Sequence, residues 1–219
     1  MSNYRPSLLQ HPRRISYDSF VTDTARSPPT DENARYRRAI RAAEELFKRV
    51  GFRAVTMEMV AREANVAKAT LYSYFKNKDE LFIAVSARMA RILLGAVEHA
   101  LAVADAPLDD RLTEAVISKH RLIFTLVRGS AHAAELFSYT HAMAGDIFCE
   151  LDADILRLLS AAMASDAEFA PSAEQLARAL YFGSGQLASR CETVAAMETE
   201  LRAFCAIHLA GARALGSRQ

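Results

Sequence analysis

Apolar and polar positions follow a helical period along the chain from about residue 33 towards its end. Apolar residues that recur every three or four positions form one face of an α-helix, whereas a half-buried strand alternates with a period of two. No strand pattern competes with the helical one. The pattern therefore predicts an all-α fold of about nine helices. They cover residues 33–50, two short segments between 56 and 74, and then 78–104, 108–128, 131–142, 146–164, 172–190 and 195–214.

The first predicted helix carries an apolar stripe that ends at a glycine. Gly51 follows the last apolar position, where it can adopt the left-handed backbone conformation that commonly closes a helix. The stripe consists of Ile40, Ala43, Leu46, Phe47 and Val50. A long amphipathic helix of this kind offers a packing surface for the short segments that follow it.

Residues 56–81 predict two short helices that pack around a tight corner. Val60 and Leu71 supply apolar side chains to one face of each helix, and neither helix is long enough to be stable alone. Ala61 is small enough to let the helix axes approach closely. Asn65 lies at the corner, where the chain needs a residue that tolerates positive φ. This arrangement is a helix-turn-helix, and it points to DNA binding.

Polar residues at the ends of these helices fit capping roles. Thr56 is placed to accept hydrogen bonds from the free N–H groups of the first short helix. Asn77 and Glu80, three residues apart, resemble a capping box that opens a further helix at Lys78. Because a cation in the first turn opposes the helix dipole, we expect Lys78 to have another partner, and a DNA phosphate would be one.

The same segment is similar to the DNA-binding domain of the tetracycline-repressor-like (TetR/AcrR) family of bacterial regulators, from about residue 35 to about residue 87. The resemblance rests on one register of positions: Thr56, Val60-Ala61, Ala64, Val66, the run Thr70-Leu71-Tyr72-x-Tyr74-Phe75, Lys78 and Leu81. It implies an N-terminal three-helix DNA-binding domain and a C-terminal helical domain for ligand binding and dimerisation. It also implies that residues 67–74 form the recognition helix in the major groove.

The resemblance assigns DNA contacts to seven residues. Lys68 and Ala69 are expected to face base edges, which select the sequence, whereas phosphate contacts fix the register. The expected phosphate contacts are Thr56, Thr70, Tyr72, Tyr74 and Lys78. Two positions depart from the family pattern, since Ala67 replaces the usual Ser and Ala69 replaces the common Gly or Pro. Ala69 offers only a methyl group, which suits a thymine methyl.

The distribution of charge agrees with this assignment. The whole chain has a formal net charge of only +1. Residues 1–80, however, hold 15 basic and 10 acidic side chains, while residues 81–219 hold 12 basic and 16 acidic ones. The proposed DNA-binding end is therefore positive, and its field would steer that face towards phosphates.

The sequence predicts three regions, which are a flexible N-terminal arm at 1–32, the DNA-binding domain at 33–80 and the effector-binding and dimerisation domain at 81–219. The arm contains four prolines and little periodicity. It lacks the apolar run of a signal peptide, and no later segment approaches the length of a membrane span. Three cysteines without a C-x-x-C pair fit a reducing compartment. We therefore expect a cytoplasmic protein that does not enter a membrane, with the cysteines on buried helical faces.

The segment 108–164 carries aromatic and polar side chains that are typical of an apolar pocket with a few polar anchors. The candidates for ligand contact are His120, Phe124, Tyr139, Met143 and Phe148. The alternative is that they are core aromatics and ordinary histidines. No tight cluster of like charges is visible, so the sequence favours a small hydrophobic or aromatic effector.

The last two predicted helices carry broad apolar stripes and two glycines. The family resemblance implies that these helices form a four-helix interface with a second copy of the chain. The candidate interface residues are Leu180, Tyr181, Gly183, Ser184, Leu187, Leu201, Phe204, Cys205 and His208. A two-fold homodimer would place its recognition helices about 34 Å apart and would select an operator with inverted half-sites.

The sequence contains no catalytic constellation and no metal-ligand spacing, so we expect neither an enzyme nor a cofactor. The expected function is a ligand-responsive transcriptional regulator, most simply a repressor, whose partners are double-stranded DNA, a small-molecule effector and a second copy of itself. Two alternatives stay open. One is a helical small-molecule-binding protein or enzyme, and the other is a DNA-binding protein without an effector.

Overall fold

The computed structural model describes residues 31–128 and 131–217, and these residues form an all-α fold, as the sequence predicts. The predicted N-terminal arm lies outside the described residues, except for its last two, which begin the first helix. In the described part of the chain there are nine α-helices and a short 3-10 helix at Ala170–Ser172. The helices are α1 (Asp31–Val50), α2 (Met57–Glu63), α3 (Lys68–Tyr74), α4 (Lys78–Leu101), α5 (Leu108–Arg128), α6 (Ala133–Met143), α7 (Gly145–Ala164), α8 (Ala173–Arg190) and α9 (Val194–Gly216).

Helices α1 to α3 form a compact N-terminal unit whose corners follow from two residues with positive φ. Gly51 closes α1 at φ 87°, and its N–H donates to the carbonyl of Phe47. Asn65 turns the chain between α2 and α3 at φ 51°, as predicted. Val60 and Leu71 are fully buried. The short helices are therefore held by packing on α1 rather than by their own stability.

Helix α4 joins two apolar cores. Its first turns, from Leu81 to Val85, pack into the core of α1 to α3, and its remainder, from Ala87 to Ala100, packs into the C-terminal core. The division between the cores thus falls about one turn beyond the boundary expected at residue 80. The capping of α4 is mostly as predicted, since Asn77 Oδ1 accepts from the N–H of Glu80 at 2.8 Å. The Glu80 carboxylate, however, accepts from the N–H of Lys76.

The C-terminal core is formed by α4, α5, α7, α8 and α9, which bury large apolar side chains such as Ile117, Leu159 and Met197. Arg213 of α9 ties the periphery together. Its guanidinium pairs with Asp109 at the start of α5, and with Asp166 and Glu168 between α7 and α8.

Most side chains of the predicted dimer stripe face the core of their own chain, and the interface assignment stays a prediction. Leu180, Leu201 and Cys205 are fully buried within the chain, and Tyr181 and Ser184 are nearly so. The helical period was correct, but the apolar stripe of a helix packs inward first.

Gly183 and Cys149 lie in surroundings other than those that the sequence predicts. Gly183 does lie where another helix passes closely, but that helix is α9 of the same chain, whose Phe204 ring would be 2.6 Å from an added Cβ. Leu187 and Phe204 pack partly against the C-terminal core, and His208 is half-buried with Nδ1 2.8 Å from the Phe204 carbonyl oxygen. Cys149 is exposed, so the expectation that all three cysteines are buried is wrong.

Candidate nucleic-acid interface and ligand cavity

The outer face of α3 is presented to solvent by the packing of its inner face. Leu71 and Phe75 enter the core of the N-terminal unit, and the residues between them consequently point outwards. Lys68 and Ala69 are exposed, and the Tyr72 ring is 41% exposed although it is large and aromatic. An exposed short helix with one cation and one aromatic side chain can enter a major groove and contact both base edges and phosphates.

Two of the predicted contact residues have defined local roles at this face. Thr56 caps α2, with its Oγ1 accepting from the N–H of Met59 at 3.3 Å, and its side chain is exposed beside free helical N–H groups that suit a phosphate. The Lys68 ammonium pairs with the carboxylate of Glu58 on α2. That hydrogen bond and charge raise the pKa of Lys68 and lower the pKa of Glu58.

The other predicted contacts are less available. Thr70 is half-buried. Tyr74 packs edge-on against Tyr36 of α1 at 5.6 Å between ring centroids, and its hydroxyl donates to the carbonyl of Glu32 at 3.4 Å. Tyr74 therefore fixes α3 against the start of α1, and a phosphate contact from its hydroxyl would replace that hydrogen bond.

Lys78 has a structural partner that the sequence did not reveal. Its ammonium donates to the backbone carbonyls of Phe52, Arg53 and Val55 at 2.7, 3.1 and 2.9 Å, and it lies over the Phe52 ring. Three acceptors match the three protons of an ammonium group. The loop between α1 and α2 thus explains a cation in the first turn of α4 without DNA. The predicted phosphate contact of Lys78 stays a prediction.

Ala67 begins α3 without a side-chain cap. Its backbone has the extended conformation of an N-cap residue, with φ −63° and ψ 144°, but no side-chain hydrogen bond is made. A serine at this position would supply one. The replacement of the family's usual Ser by Ala67 therefore has a direct structural consequence at the start of the proposed recognition helix.

A cavity of about 310 Å³ lies between the two cores. This volume is at the lower end of the range for small-molecule pockets, about 300 to 1,000 Å³. The wall is mainly apolar, and it includes residues of α1 as well as of the C-terminal helices. The lining residues are Glu44, Phe47, Lys48, Phe82, Val85, Ser86, Met89, Leu93, Lys119, Ile123, Leu126, Leu136, Thr140, Phe148, Leu151, Asp152 and Tyr181.

One wall of the cavity carries a polar group of three side chains. The Lys119 ammonium lies 3.5 Å from the centroid of the Tyr181 ring, and the Tyr181 hydroxyl donates to the Asp152 carboxylate. Burial lowers the pKa of Lys119 to about 8, although the charge of Asp152 opposes this shift. Burial, together with the hydrogen bond to Asp152, also raises the pKa of Tyr181 strongly.

The structure brings only one of the predicted ligand residues, Phe148, to the cavity wall. His120 does not line the cavity; it is buried, with Nε2 2.9 Å from the Ser184 hydroxyl oxygen. Because that hydroxyl donates to the Tyr181 carbonyl, it must accept from His120. Phe124 packs against the C-terminal core. The assignment of ligand contacts to these residues stays a prediction, and Phe148 is the one that lies in the cavity wall.

Tyr139 and Met143 pack instead at the junction between α6 and the N-terminal unit. The Tyr139 ring lies 4.5 Å from the Phe52 ring, and its hydroxyl accepts from Arg53 Nε at 2.9 Å. The N–H of Arg53 donates to Glu135 at 3.2 Å. Helix α6 therefore holds the loop that leads into α2, while Leu136 and Thr140 of the same helix line the cavity.

Sequence reasoning missed Lys119, although a signal was present. Leu112, Val116 and Ile123 recur at helical spacing, and Lys119 falls on the same stripe. A lysine within an otherwise apolar stripe is expected to be buried or to line a cavity. Asp152 is similarly placed beside Leu151 and could have been found in the same way.

Within the described residues, no three His, Cys, Asp or Glu side chains are grouped as metal ligands. In the same part of the chain, no helix combines the length and the apolar character that crossing a membrane requires.

The three N-terminal helices and the outward face of α3 define a helix-turn-helix DNA-binding domain joined to a helical domain with a cavity. Residues 39–85 match the family model described as bacterial regulatory proteins, tetR family. These residues are therefore a helix-turn-helix domain of the tetR family.

Two HTH-type regulators are similar to part of this chain. An uncharacterised HTH-type transcriptional regulator, YhgD of Bacillus subtilis, is 51% identical over 43 residues, which are 20% of this chain and 22% of the relative. The HTH-type transcriptional activator FasR of Mycolicibacterium smegmatis is 40% identical over 60 residues, which are 27% of each chain. The similarity thus spans about a quarter of the length of these relatives.

Solved structures extend the likeness of fold to most of the chain. The fatty acid degradation regulator FadR from Bacillus halodurans superposes with a TM-score of 0.61 at 16% identity, covering 84% of this chain and 98% of that one. A transcriptional regulator from Rhodococcus sp. Rha1 superposes with a TM-score of 0.63 at 20% identity, covering 80% and 96%. At these identities the likeness concerns the fold.

Proposed function

We propose that this protein is a ligand-responsive transcriptional repressor of the cytoplasm that binds a palindromic operator as a homodimer. The observation that carries the proposal is the exposed outer face of α3, where Lys68, Ala69 and Tyr72 project away from a well-packed domain. The Tyr72 ring leaves a large aromatic surface in water, and Lys68 is held only by a surface ion pair with Glu58. In the major groove Lys68 exchanges Glu58 for base edges, and Tyr72 approaches the backbone.

The cavity supports a role for a small effector. Its wall includes Phe47 of α1 and Leu136 of α6, so a bound molecule touches both the DNA-binding domain and the helix that holds the loop at Arg53. A ligand that fits only one arrangement of these helices favours that arrangement. Operator affinity then changes because the two arrangements bind DNA with different affinities. A coupling free energy of about 1 to 3 kcal/mol changes that affinity roughly 5- to 150-fold.

The outer sides of α8 and α9 support a homodimer. Phe182 is 52% exposed and Ile207 is 70% exposed, and both point away from the core that occupies the inner stripes. Small residues surround Ile207 on the exposed face of α9, which permits close helix approach: Ala203, Ala206, Ala210, Gly211 and Ala214. An apolar face of this kind is self-complementary under two-fold symmetry. We propose this outer face, rather than the buried stripe, as the dimer contact.

The test is binding of the purified protein to a fluorescently labelled duplex taken from upstream of its own gene, measured by anisotropy at several salt concentrations. Specific binding is expected to weaken with salt, because phosphate contacts release counterions. The double variant Lys68→Ala, Tyr72→Ala is expected to lose sequence preference. Arg157→Ala is the control, since the Arg157 side chain is 70% exposed on α7, outside both the DNA-binding domain and the proposed dimer contact.

Addition of an extract of the source cells then separates the remaining possibilities. Release of the duplex by a small-molecule fraction is the expected result. Binding that no fraction alters would identify a DNA-binding protein without an effector. Absence of any salt-sensitive binding to duplex DNA would favour a helical small-molecule-binding protein or enzyme and would overturn the proposal.

A further inference from the structure

Lys119 places a positive charge in the wall of a largely apolar cavity. Its residue is only 9% exposed, and the side chain lines the cavity together with apolar neighbours such as Met89 and Ile123. Glu44 also lines the cavity, but its charge is already matched, because its carboxylate pairs with Lys48 at 2.6 Å and with Arg88 at 2.9 Å. Lys119 is therefore the lysine of the cavity wall that has no ion pair with a described residue.

The Lys119 ammonium lacks a hydrogen-bond acceptor among the described residues. Its contact with the Tyr181 ring is a cation–π interaction, which attracts the positive charge but provides no oxygen or nitrogen atom that accepts a hydrogen bond. Asp152 lies on the neighbouring helix, but its oxygen accepts from the Tyr181 hydroxyl, and no described carboxylate is within ion-pairing distance of the ammonium. A buried cation without an acceptor is costly, and a bound molecule can remove that cost.

We propose that the cavity takes an amphipathic carboxylic acid, whose carboxylate pairs with the Lys119 ammonium and whose apolar body fills the space between α4, α5 and α7. This inference rests on the proposed function, since it names the chemical class of the effector. The apolar wall excludes water around the pair, which strengthens a charge-assisted hydrogen bond. Burial lowers the pKa of Lys119, and the nearby charge of Asp152 offsets this shift only in part.

Other head groups fit the wall less well. An ammonium head would be repelled by Lys119 in a medium where charge is poorly screened. An alcohol head would accept a hydrogen bond from the ammonium but would bring no negative charge to pair with it, so it would bind more weakly than a carboxylate. The titratable or charged groups that line the cavity or adjoin Lys119 are Glu44, Lys48, His120, Asp152 and Tyr181.

Matched ligands with one apolar body test the choice of head group. Binding of decanoate, 1-decanol and decylamine to the full-length protein is measured by isothermal titration calorimetry at pH 7, and 4-phenylbutyrate with 4-phenylbutanol repeats the comparison for an aromatic body. We expect a carboxylate to bind at least about tenfold more tightly than its alcohol, the equivalent of about 1.4 kcal/mol. We expect no binding of the amine.

Substitutions at the polar group sharpen the test. Lys119→Met keeps the length of the side chain and removes a buried charge, so it is expected to fold and to bind decanoate and decanol within about threefold of each other. Asp152→Asn removes a nearby negative charge and is expected to tighten carboxylate binding. Lys76→Met is the control, since the Lys76 side chain is 87% exposed on the DNA-binding domain and far from the cavity wall.

A pH series adds a readout that a structural role would not produce. Because the ammonium form binds the carboxylate, affinity for decanoate is expected to fall about tenfold between pH 7 and pH 9 as Lys119 loses its proton. Lys119→Met should show no such fall.

Two results separate this inference from the proposed function. If both carboxylates bind no better than their alcohols, or bind equally to Lys119→Met, the inference is overturned even when operator binding is intact. If operator binding is absent while the carboxylates bind through Lys119, the regulatory proposal fails and the assignment of the cavity stands.

Discussion

The Lys78 ammonium shows how one side chain can organise the loop that leads into a helix-turn-helix. Three backbone carbonyls between residues 52 and 55 point at this group, and they belong to a segment without regular hydrogen bonding of its own. The charge of Lys78 gathers them into one arrangement, which sets the position of Thr56 and therefore of α2. Lys78, to which the family resemblance assigns a DNA contact, thus helps to hold the loop that positions α2.

Replacement of Lys78 by methionine is therefore expected to destabilise the protein. Two part-buried carbonyls, those of Phe52 and Val55, and the exposed carbonyl of Arg53 would lose a charged donor, with a cost of about 1.5 to 3 kcal/mol in the free energy of unfolding. Denaturant titration measures this loss. The salt slope of operator binding should stay unchanged if the ammonium keeps to the loop, whereas a decrease of about one would place it on a phosphate.

His120 provides a second prediction at this scale. Burial, followed by the charge of Lys119, lowers the pKa of His120 to about 3. The unfolded chain takes up this proton near pH 6.5, so the stability from neutral His120 is present above pH 6.5 and is lost as the pH falls towards 3. At pH 5 the loss is about 2 kcal/mol.

The comparison variant for this prediction is His120→Gln, which keeps a donor for the Ser184 hydroxyl but does not titrate. Chemical denaturation at pH 7 and pH 5 should show a smaller decrease in stability for the variant than for the unaltered protein. An equal decrease in both would mean that His120 is protonated in the folded state.

At the scale of the element, α3 is a helix that tertiary packing holds in place. It spans seven residues and begins at Ala67 without a side-chain cap, so its first N–H groups are open to solvent or to a phosphate. Helix α2, of the same length, has the Thr56 cap. The N-terminus of α3, the proposed recognition helix, is consequently less stabilised by capping than the N-terminus of α2.

Ala67→Ser is expected to stabilise the protein by about 1 kcal/mol by capping α3. The backbone at this position already has N-cap geometry, so no rearrangement is required. Thermal unfolding measures the gain, and Ala67→Val, which adds bulk without a hydroxyl, is the control. A gain that is equal in both variants would argue against capping.

Elements were also the level at which the sequence was most informative. The bounds of the helices followed from the helical period and from residues that end a helix, such as Gly51 and Asn65, because these signals are local in the sequence. The faces of α8 and α9 did not follow in the same way. Whether Leu180 and Leu201 meet their own core or a second subunit depends on which helices pack between them, and this is a property of the assembled fold.

The cavity shows the same contrast. Its apolar character and one member, Phe148, could be expected from residues 108–164. The contribution of Phe47 and Glu44 could not, because these residues lie about a hundred positions earlier in the chain. The burial of Lys119 was visible only as a lysine within an apolar stripe.

At the scale of the whole molecule, the outer face of α8 and α9 predicts the state of assembly. Ile207→Glu places a charge at the centre of the proposed contact and is expected to convert a dimer into a monomer, since a buried unpaired charge is strongly unfavourable. Sedimentation velocity at micromolar concentration distinguishes the two states, and operator affinity should fall with dimer loss.

The matched control is Val103→Glu, which makes the same change at an exposed apolar side chain between α4 and α5. This variant should sediment as the unaltered protein does. If Ile207→Glu also stays dimeric, the two copies meet elsewhere.

The cavity wall formed by α1 has a practical consequence for chimeric sensors. A graft that exchanges DNA-binding domains at the boundary near residue 80 would replace Glu44, Phe47 and Lys48, and with them one side of the binding chamber. The hybrid would acquire a new operator and an altered ligand preference at once. A graft that preserves the response would instead retain the inner side of α1 from the receiving protein and transplant only the surface of α2 and α3.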